Sequence, residues 1–197
     1  DRNIRVAEEH APKLYSSHIS DENIQFVSVK DSMAYEGVDL HRTLILVADS
    51  GLKEPLLVDV FKVESATPHR YDLPLWYQGH FLISDIEFFD YPAALSPLGD
   101  ANGYQHIWLE GQGVASGQPV SLTWYSQGGI TTVTSATDTG DLLLTSFLGA
   151  NDPLHNLRRD PVLIFRKEEA TDALFVNVIE SHGQYESSDE IPRNPYG

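Results

Sequence analysis

The chain contains no cysteine among its 197 residues. Disulfide bonds, thiolate zinc sites and a cysteine nucleophile are therefore excluded. No apolar run approaches the ~18 residues that a membrane-spanning helix needs, so we expect no membrane partner. The sequence also lacks a long segment with amphipathic helical periodicity, which argues against helical and α/β folds.

Positive charge is scarce. Lysine and arginine number 13 against 29 aspartates and glutamates, which gives a formal net charge of −16. Nucleic-acid binders present basic patches, so we expect no nucleic-acid partner. The acidity otherwise indicates solubility rather than a particular fold or function.

Motifs for hydrolytic and metal chemistry are also missing. The sequence has no GxSxG nucleophile elbow and no HExxH pair. His69 and Asp72 are three residues apart, and His106 stands alone in a predicted strand. Structural zinc sites use four ligands and catalytic sites three, so the scattered histidines predict no metal and no other cofactor.

Short strand-like segments separated by turn residues fill most of the chain. Many such strands at ~8–12-residue spacing predict an all-β fold, an antiparallel sandwich or barrel. Of the two we expect a two-sheet antiparallel β-sandwich. We expect one domain over 1–197, with an irregular lead-in (1–23), a sandwich core (24–185) and a loose tail (186–197). The predicted strands are 24–29, 41–47, 55–63, 70–77, 104–109, 120–125, 130–135, 142–147, 162–166 and 174–179. The proline at position 74 predicts that 70–77 is an edge strand or is broken.

The segment from Gly149 to Arg159 is the strongest candidate site. Its turn residues and two prolines indicate a stiff polar loop, and such loops between rigid strands often carry function. A guanidinium is a planar fork that suits a carboxylate. Arg158 is therefore the best candidate ligand of a carboxylate, ahead of Arg159. Arg42 and Arg70 lie in predicted strands, where an arginine pairs with a cross-strand acid or lies along the sheet surface.

Aromatic residues offer an alternative, a sugar-binding surface. Adjacent residues of a strand point to opposite faces. One member of each strand pair is therefore expected in the core, and the other can stack on a sugar ring. The residues concerned are Trp76 with Tyr77, Trp124 with Tyr125, and the single Tyr104 and Trp108.

Several phrases, in order from about residue 24 to 185, resemble polysaccharide lyase family 17, the oligoalginate lyases with a heparinase II/III-like β domain. They are YEGV (35–38), HRTL (41–44), LVDVF (57–61), HRYDLP (69–74), GYQHIW (103–108), GANDP (149–153), NLR (156–158) and IESHG (179–183).

The resemblance implies a C-terminal β-sandwich without its N-terminal α/α toroid. In that family the toroid supplies most catalytic groups, and the opening strands of the sandwich carry a catalytic tyrosine and the histidine and aspartate ligands of a metal ion. No positions here match those residues, so no catalytic residue is assigned. The implied partners are the toroid domain of the same enzyme and an alginate-type uronate oligosaccharide, and a periplasmic or secreted location is favoured.

The implied reaction is β-elimination on a uronate. It needs a base, an acid and a group that stabilises the carboxylate-derived anion. The resemblance and the loop chemistry together assign substrate binding to Asn151, Asp152, Asn156 and Arg158. We expect the chain alone to be inactive. The alternative is a non-catalytic carbohydrate-binding or structural β-sandwich module.

Overall fold

The computed structural model describes residues 10–90, 95–126, 128–148 and 159–184. These residues contain twelve strands and one short 3₁₀ turn, Tyr104–His106, and no α-helix. No helix within these ranges is long and apolar enough to cross a membrane. The strands are β1 (Lys13–His18), β2 (Ile24–Tyr35), β3 (Val38–Val47), β4 (Leu56–Trp76), β5 (His80–Ser84), β6 (Phe89–Asp90), β7 (Ser96–Pro97), β8 (Ile107–Ser116), β9 (Val120–Ser126), β10 (Gly129–Ala136), β11 (Thr139–Leu148) and β12 (Asp160–Gln184).

All strand pairs are antiparallel and share one hydrogen-bonded network. The first layer has the order β1-β2-β3-β4-β12-β10-β9-β5. The second layer contains the later part of β4, the first part of β12, then β11 and β8, with β6 and β7 on β8. The predicted all-β antiparallel sandwich is confirmed.

Two long, bent strands join the layers. The sequence predicts separate strands at 55–63 and 70–77, and again at 162–166 and 174–179, but each pair is one continuous strand, β4 or β12. The pairing between β4 and β12 shifts register on either side of Ala170, and Glu169 has a φ of 49°. Polar residues at these bends resemble turn signals in the sequence, yet bulges let the strands bend and continue pairing.

The chain before residue 24 is more regular than predicted. Residues 1–23 were expected to form an irregular lead-in, but Lys13–His18 form β1 and pair with β2. All six β1 residues are exposed, which explains why no buried strand pattern marks this segment. The predicted tail, 186–197, lies outside the described residues, and the prediction of a single domain stays a prediction.

The main core lies between the two layers. Leu122 and Val133 of the first layer are fully buried, and Leu143 and Leu163 of the second layer belong to the same cluster. Full burial of an aliphatic side chain contributes about 1.5–3 kcal/mol. A smaller cluster of Leu144, Val162 and Ile164 lies on the other face of the second layer, beneath Leu98, Ile107 and Leu109.

Segment 70–77, which contains Pro74, was predicted to be an edge strand or to be broken, and the structure shows an edge strand. Residues 71–76 of β4 pair with β12, and no other described strand pairs with them, so they form an edge of the second layer. Pro74 lies opposite Ile164 there. Because proline has no N–H to donate to a second neighbour, an edge is where a sheet accommodates it.

Candidate functional site

The predicted substrate-binding residues Asn151, Asp152, Asn156 and Arg158 lie outside the described residues. Their role stays a prediction. The structure does describe the strands on either side of the loop. The end of β11 and the start of β12 are paired, with Leu148 opposite Asp160, so the ends of segment 149–159 leave from adjacent points of the second layer.

A cation and an aromatic ring flank this loop. The Arg159 guanidinium forms an ion pair with Glu110, and it lies 4.3 Å from the centre of the Phe147 ring. The Arg159 side chain is 55% exposed, so the pair is open to solvent. The described residues on either side of the loop, Phe147 and Arg159, therefore contact each other, and Arg159 is paired with Glu110.

Two aromatic residues from the end of β4 border the same region. The Tyr77 amide donates a hydrogen bond to the Pro161 carbonyl (3.4 Å), and its ring packs 5.3 Å from the Trp124 ring. Burial raises the pKa of the Tyr77 phenol, against the opposing effect of the Arg159 charge. Trp76 is 48% exposed. One member of each pair was expected in the core. Trp124 is a core residue, and the partly buried Tyr77 packs against the core, whereas Trp76 is exposed.

The arginines in strands behave as predicted. Arg42 makes two 2.8 Å hydrogen bonds to the buried Asp59 carboxylate, and Arg70 bonds Glu168 across the β4–β12 pair at 2.9 Å. The hydrogen bonds with Asp59 raise the pKa of Arg42. Both guanidinium groups are therefore already paired with carboxylates of the protein.

A buried polar group that the sequence analysis missed joins Asp72, Arg166 and Tyr104. Both Arg166 nitrogens Nε and Nη2 donate to the Asp72 carboxylate at 2.7 Å, and the Tyr104 hydroxyl donates to Asp72 Oδ2 at 2.6 Å. The Arg166 and Asp72 side chains are 9% and 6% exposed. Burial raises the pKa of Tyr104, and the hydrogen bond to Asp72 raises it further. This group fixes the 3₁₀ turn to the second layer.

A second buried cation holds the β10–β11 connection. Lys167 Nζ donates to Asp138 Oδ2 at 2.7 Å and to Asp141 Oδ2 at 2.6 Å. Burial alone lowers the pKa of Lys167, but the two carboxylates raise it above its ordinary value. The lysine is thus a charged structural anchor. A signal was present in the sequence, because charged residues within an apolar strand need partners.

The described residues do not provide a metal site. Within those ranges, no three histidine, aspartate or glutamate side chains come together as ligands. His69 bonds Thr67 Oγ1 at 3.1 Å, whereas Asp72 is bound by Arg166 and Tyr104. The metal ion that the family resemblance implies therefore has no ligand set in this part of the chain, and no step of the chemistry is assigned to it here.

Comparison with known proteins gives the decisive observation. Over 199 aligned positions the sequence is 35% identical to an exo-oligoalginate lyase from Saccharophagus degradans, and the alignment covers 98% of the chain. It is also 35% identical, over 188 positions and 95% of the chain, to an alginate lyase from Stenotrophomonas maltophilia. The chain is homologous to alginate lyases. The resemblance found in the sequence is thereby confirmed.

The chain spans about a quarter of the length of these alginate lyases, 26% of the first and 25% of the second. A comparison with family models finds no match. Among solved structures, heparan sulfate lyase HepC from Pedobacter heparinus superposes with a TM-score of 0.54 at 10% identity, over 89% of this chain and 22% of that one. Heparinase III gives 0.53 at 11% identity, over 87% and 21%. At such identities the superpositions establish the fold.

Proposed function

We propose that this chain is the C-terminal β-sandwich of an alginate lyase that cleaves uronate oligosaccharides by β-elimination. The observation that carries the proposal is the 35% identity to an exo-oligoalginate lyase along 98% of the chain. The fold supports the proposal, because two other polysaccharide lyases, HepC and heparinase III, contain a similar one.

In this proposal the sandwich binds substrate and does not supply the base. β-Elimination removes the proton next to the uronate carboxylate, breaks the bond to the leaving oxygen, and protonates that oxygen. A cation or hydrogen-bond donor beside the carboxylate stabilises the anion that forms. All four arginines within the described ranges, Arg42, Arg70, Arg159 and Arg166, already contact protein carboxylates.

The remaining candidates belong to the loop between β11 and β12. Asn151, Asn156 and Arg158 are donors suited to a uronate, and Asp152 can accept from sugar hydroxyls. The half-exposed Arg159 and Trp76 border the same end of the second layer. We propose that β11 and β12 hold this loop against the part of the enzyme that carries the acid and base.

The test compares three proteins with an oligoalginate substrate, and it follows the ultraviolet absorbance of the unsaturated product. The first is this chain alone. The second is the Saccharophagus degradans enzyme with its matching quarter replaced by this chain, and the third is that enzyme with the quarter deleted. We expect product from the second protein only. The chain alone lacks the acid and base, each of which contributes about 10²–10⁴-fold, and the deletion lacks the sandwich that binds the substrate.

Two results would contradict the proposal. Product from the purified chain alone would show that it carries its own acid and base. A soluble, folded replacement protein as inactive as the deletion would show that this sandwich does not substitute for that of an alginate lyase.

A non-catalytic sugar-binding module is the second candidate, and the exposed indole of Trp76 favours it. An exposed tryptophan can stack on a sugar ring without any cleavage. In that case the chain binds neutral and anionic oligosaccharides alike, Trp76→Ala abolishes binding, and the replacement protein forms no product.

A further inference from the structure

The first layer carries apolar side chains on both of its faces. On one side of β4 and β12, Phe61 and Phe175 pack in the main core. Successive residues of a strand point to opposite sides, so Val60 and Val176 face away from that core. The side of the first layer that points away from the second layer is therefore apolar as well.

Strand register extends this apolar side over four strands. Val178 of β12 lies opposite Val58 of β4, Val58 opposite Ile45 of β3, and Ile45 opposite Phe26 of β2. Directly opposed residues share a face of a sheet. The neighbouring rows add Val176 opposite Val60, and Leu56 opposite Val47. We call the whole set the outer apolar face: Phe26, Ile45, Val47, Leu56, Val58, Val60, Val176 and Val178.

The outer apolar face is open in the described part of the chain. All eight side chains are partly exposed, and none of them belongs to either buried cluster. Ile24 and Leu174 lie on the same side at two of its margins, and each is 50% exposed. Soluble proteins rarely leave contiguous apolar patches uncovered, and such patches mark interaction surfaces.

The sequence of these strands also indicates burial on both sides. An antiparallel strand with one solvated face alternates apolar and polar residues, whereas a strand buried on both faces is almost continuously apolar. The segments TLILV (43–47), LLVDVFKV (56–63) and LFVNVI (174–179) are of the second kind. Their outward-facing valines and isoleucine are therefore typical of a face that a further layer covers.

Polar side chains border the outer apolar face on two sides. Beyond β12 the central row continues with Thr134 and Ser121, whose hydroxyls are hydrogen-bonded at 3.2 Å. Next to Val60, Thr43 and Ser28 are hydrogen-bonded to each other at 2.8 Å. An apolar centre with a polar rim is the usual anatomy of a protein interface.

We propose that the outer apolar face packs against an apolar surface of the part of the same enzyme that this chain does not span. This inference rests on the proposed function. The chain covers about a quarter of the alginate lyases that it matches, so three quarters of such an enzyme are available to cover the face. A second copy of the chain is a poorer occupant, because a net charge of −16 on each copy opposes their contact.

The test measures the reactivity of single cysteines, which the natural absence of cysteine makes possible. Ile24→Cys and Leu174→Cys probe two margins of the face, and Ile45→Cys probes its centre. Each substitution is made in this chain alone and in the replacement protein described above, and mass spectrometry of the labelled peptides gives the rate at each thiol. We expect all three to react at least about tenfold more slowly in the replacement protein, because a covered thiol is inaccessible to the reagent.

Val114→Cys is the matched control. Val114 lies in β8 of the second layer and is 51% exposed, as open to solvent as Ile24 and Leu174. Its thiol should react at the same rate in both proteins. Circular dichroism must show every variant of the chain alone folded, which is expected because none of the four residues belongs to the fully buried core.

Four outcomes overturn the inference. The first is equal labelling of the three probes in both proteins, and the second is equal slowing at Val114. The third is an insoluble replacement protein, because a face that fits its partner would be covered. The fourth is labelling of the chain alone that slows as its concentration rises, which would assign the face to a second copy.

Failure here is distinguishable from failure of the proposed function. Labelling does not depend on catalysis, so protected probes without unsaturated product would leave the interface standing while the lyase assignment falls. Product from a replacement protein whose probes stay reactive would give the opposite result.

Discussion

At the scale of single residues, the buried charged groups in the described part of the chain, Asp59, Arg166 and Lys167, each have a partner of opposite charge. Arg166 with Asp72, and Lys167 with Asp141, place cations in the middle of apolar strands. Removing water from such ions costs several kcal/mol, which is recovered only where hydrogen bonds are well aligned. Arg166 makes two hydrogen bonds to Asp72 of β4, and Lys167 bonds both Asp138 and Asp141 at the start of β11, so these contacts fix the position of β12 against both strands.

We predict that Tyr104→Phe lowers the free energy of unfolding by about 1.5–3 kcal/mol, because the charged Asp72 carboxylate loses the hydrogen bond that the Tyr104 hydroxyl donates to it. Urea denaturation measures this. Tyr35→Phe is the control. That tyrosine is 42% exposed, so the change should stay within about 0.5 kcal/mol. Equal effects of the two substitutions would contradict the role of the Tyr104 hydroxyl.

The same substitution has an expected pH dependence. The pKa of Tyr104 is raised in the folded protein, first by burial. A group with a raised pKa contributes stability that is fully present below its unfolded value, about 10 for tyrosine, and is lost as pH rises beyond it. The stability difference between the parent protein and Tyr104→Phe should therefore shrink above about pH 10.

At the scale of elements, turns with positive φ set how neighbouring strands meet. Gly79, with φ of 100°, immediately precedes β5, and a Cβ there would overlap the backbone carbonyl of Tyr125 in β9. Gly37, with φ of 72°, lies in the turn between β2 and β3 and has no atom within 4 Å of an added Cβ. A comparison of alanine substitutions at the two glycines therefore separates the cost of backbone strain from the cost of steric overlap.

We predict that Gly37→Ala costs about 1–2 kcal/mol, the penalty for a left-handed backbone with a Cβ. Gly79→Ala should cost about 2–5 kcal/mol, because overlap adds about 1–3 kcal/mol to the same penalty. Thermal or urea unfolding of both variants checks the difference. Hydrogen exchange should show the loss centred on β5 and its partner β9. Similar costs for the two variants would show that β5 moves away freely.

At the scale of the whole molecule, β4 and β12 decide the shape. Each contributes to both layers, so the bend at residues 168–170 sets how the second layer faces the first. The pairing of Leu148 with Asp160 fixes the points of the second layer at which segment 149–159 begins and ends. In the proposed function this segment faces a larger catalytic domain.

We predict that Arg158→Ala lowers kcat/KM at least about tenfold in the complete enzyme, a loss of about 1.4 kcal/mol of transition-state stabilisation. The melting temperature should stay within a few degrees, because a loop side chain adds little to the core. Arg70→Ala, which removes an exposed pair with Glu168, is the control and should leave kcat/KM unchanged. A less stable Arg158→Ala enzyme with unchanged kinetics would make the loop structural.

The sequence by itself determined the fold class and the relationship to alginate lyases. Alternating apolar residues mark one buried face of a strand, as in 24–29 and 174–179, and this local signal does not depend on distant contacts. The phrases between residues 35 and 183 are likewise runs of consecutive residues, so they can be compared with a family without knowledge of any tertiary contact. The pairing of Arg42 and Arg70 with acids also followed from their positions in strands.

Only the tertiary structure decided which distant residues meet. The exposed strand β1 carries no apolar alternation, and it exists because β2 provides a hydrogen-bonding edge for it. The bends of β4 and β12 have the composition of turns, and long-range pairing between the two strands keeps them extended. Asp72 meets Arg166, 94 residues away, and Phe26, Ile45, Val58 and Val178 align through strand register. Register depends on pairing across the sheet, which no local pattern in one strand encodes.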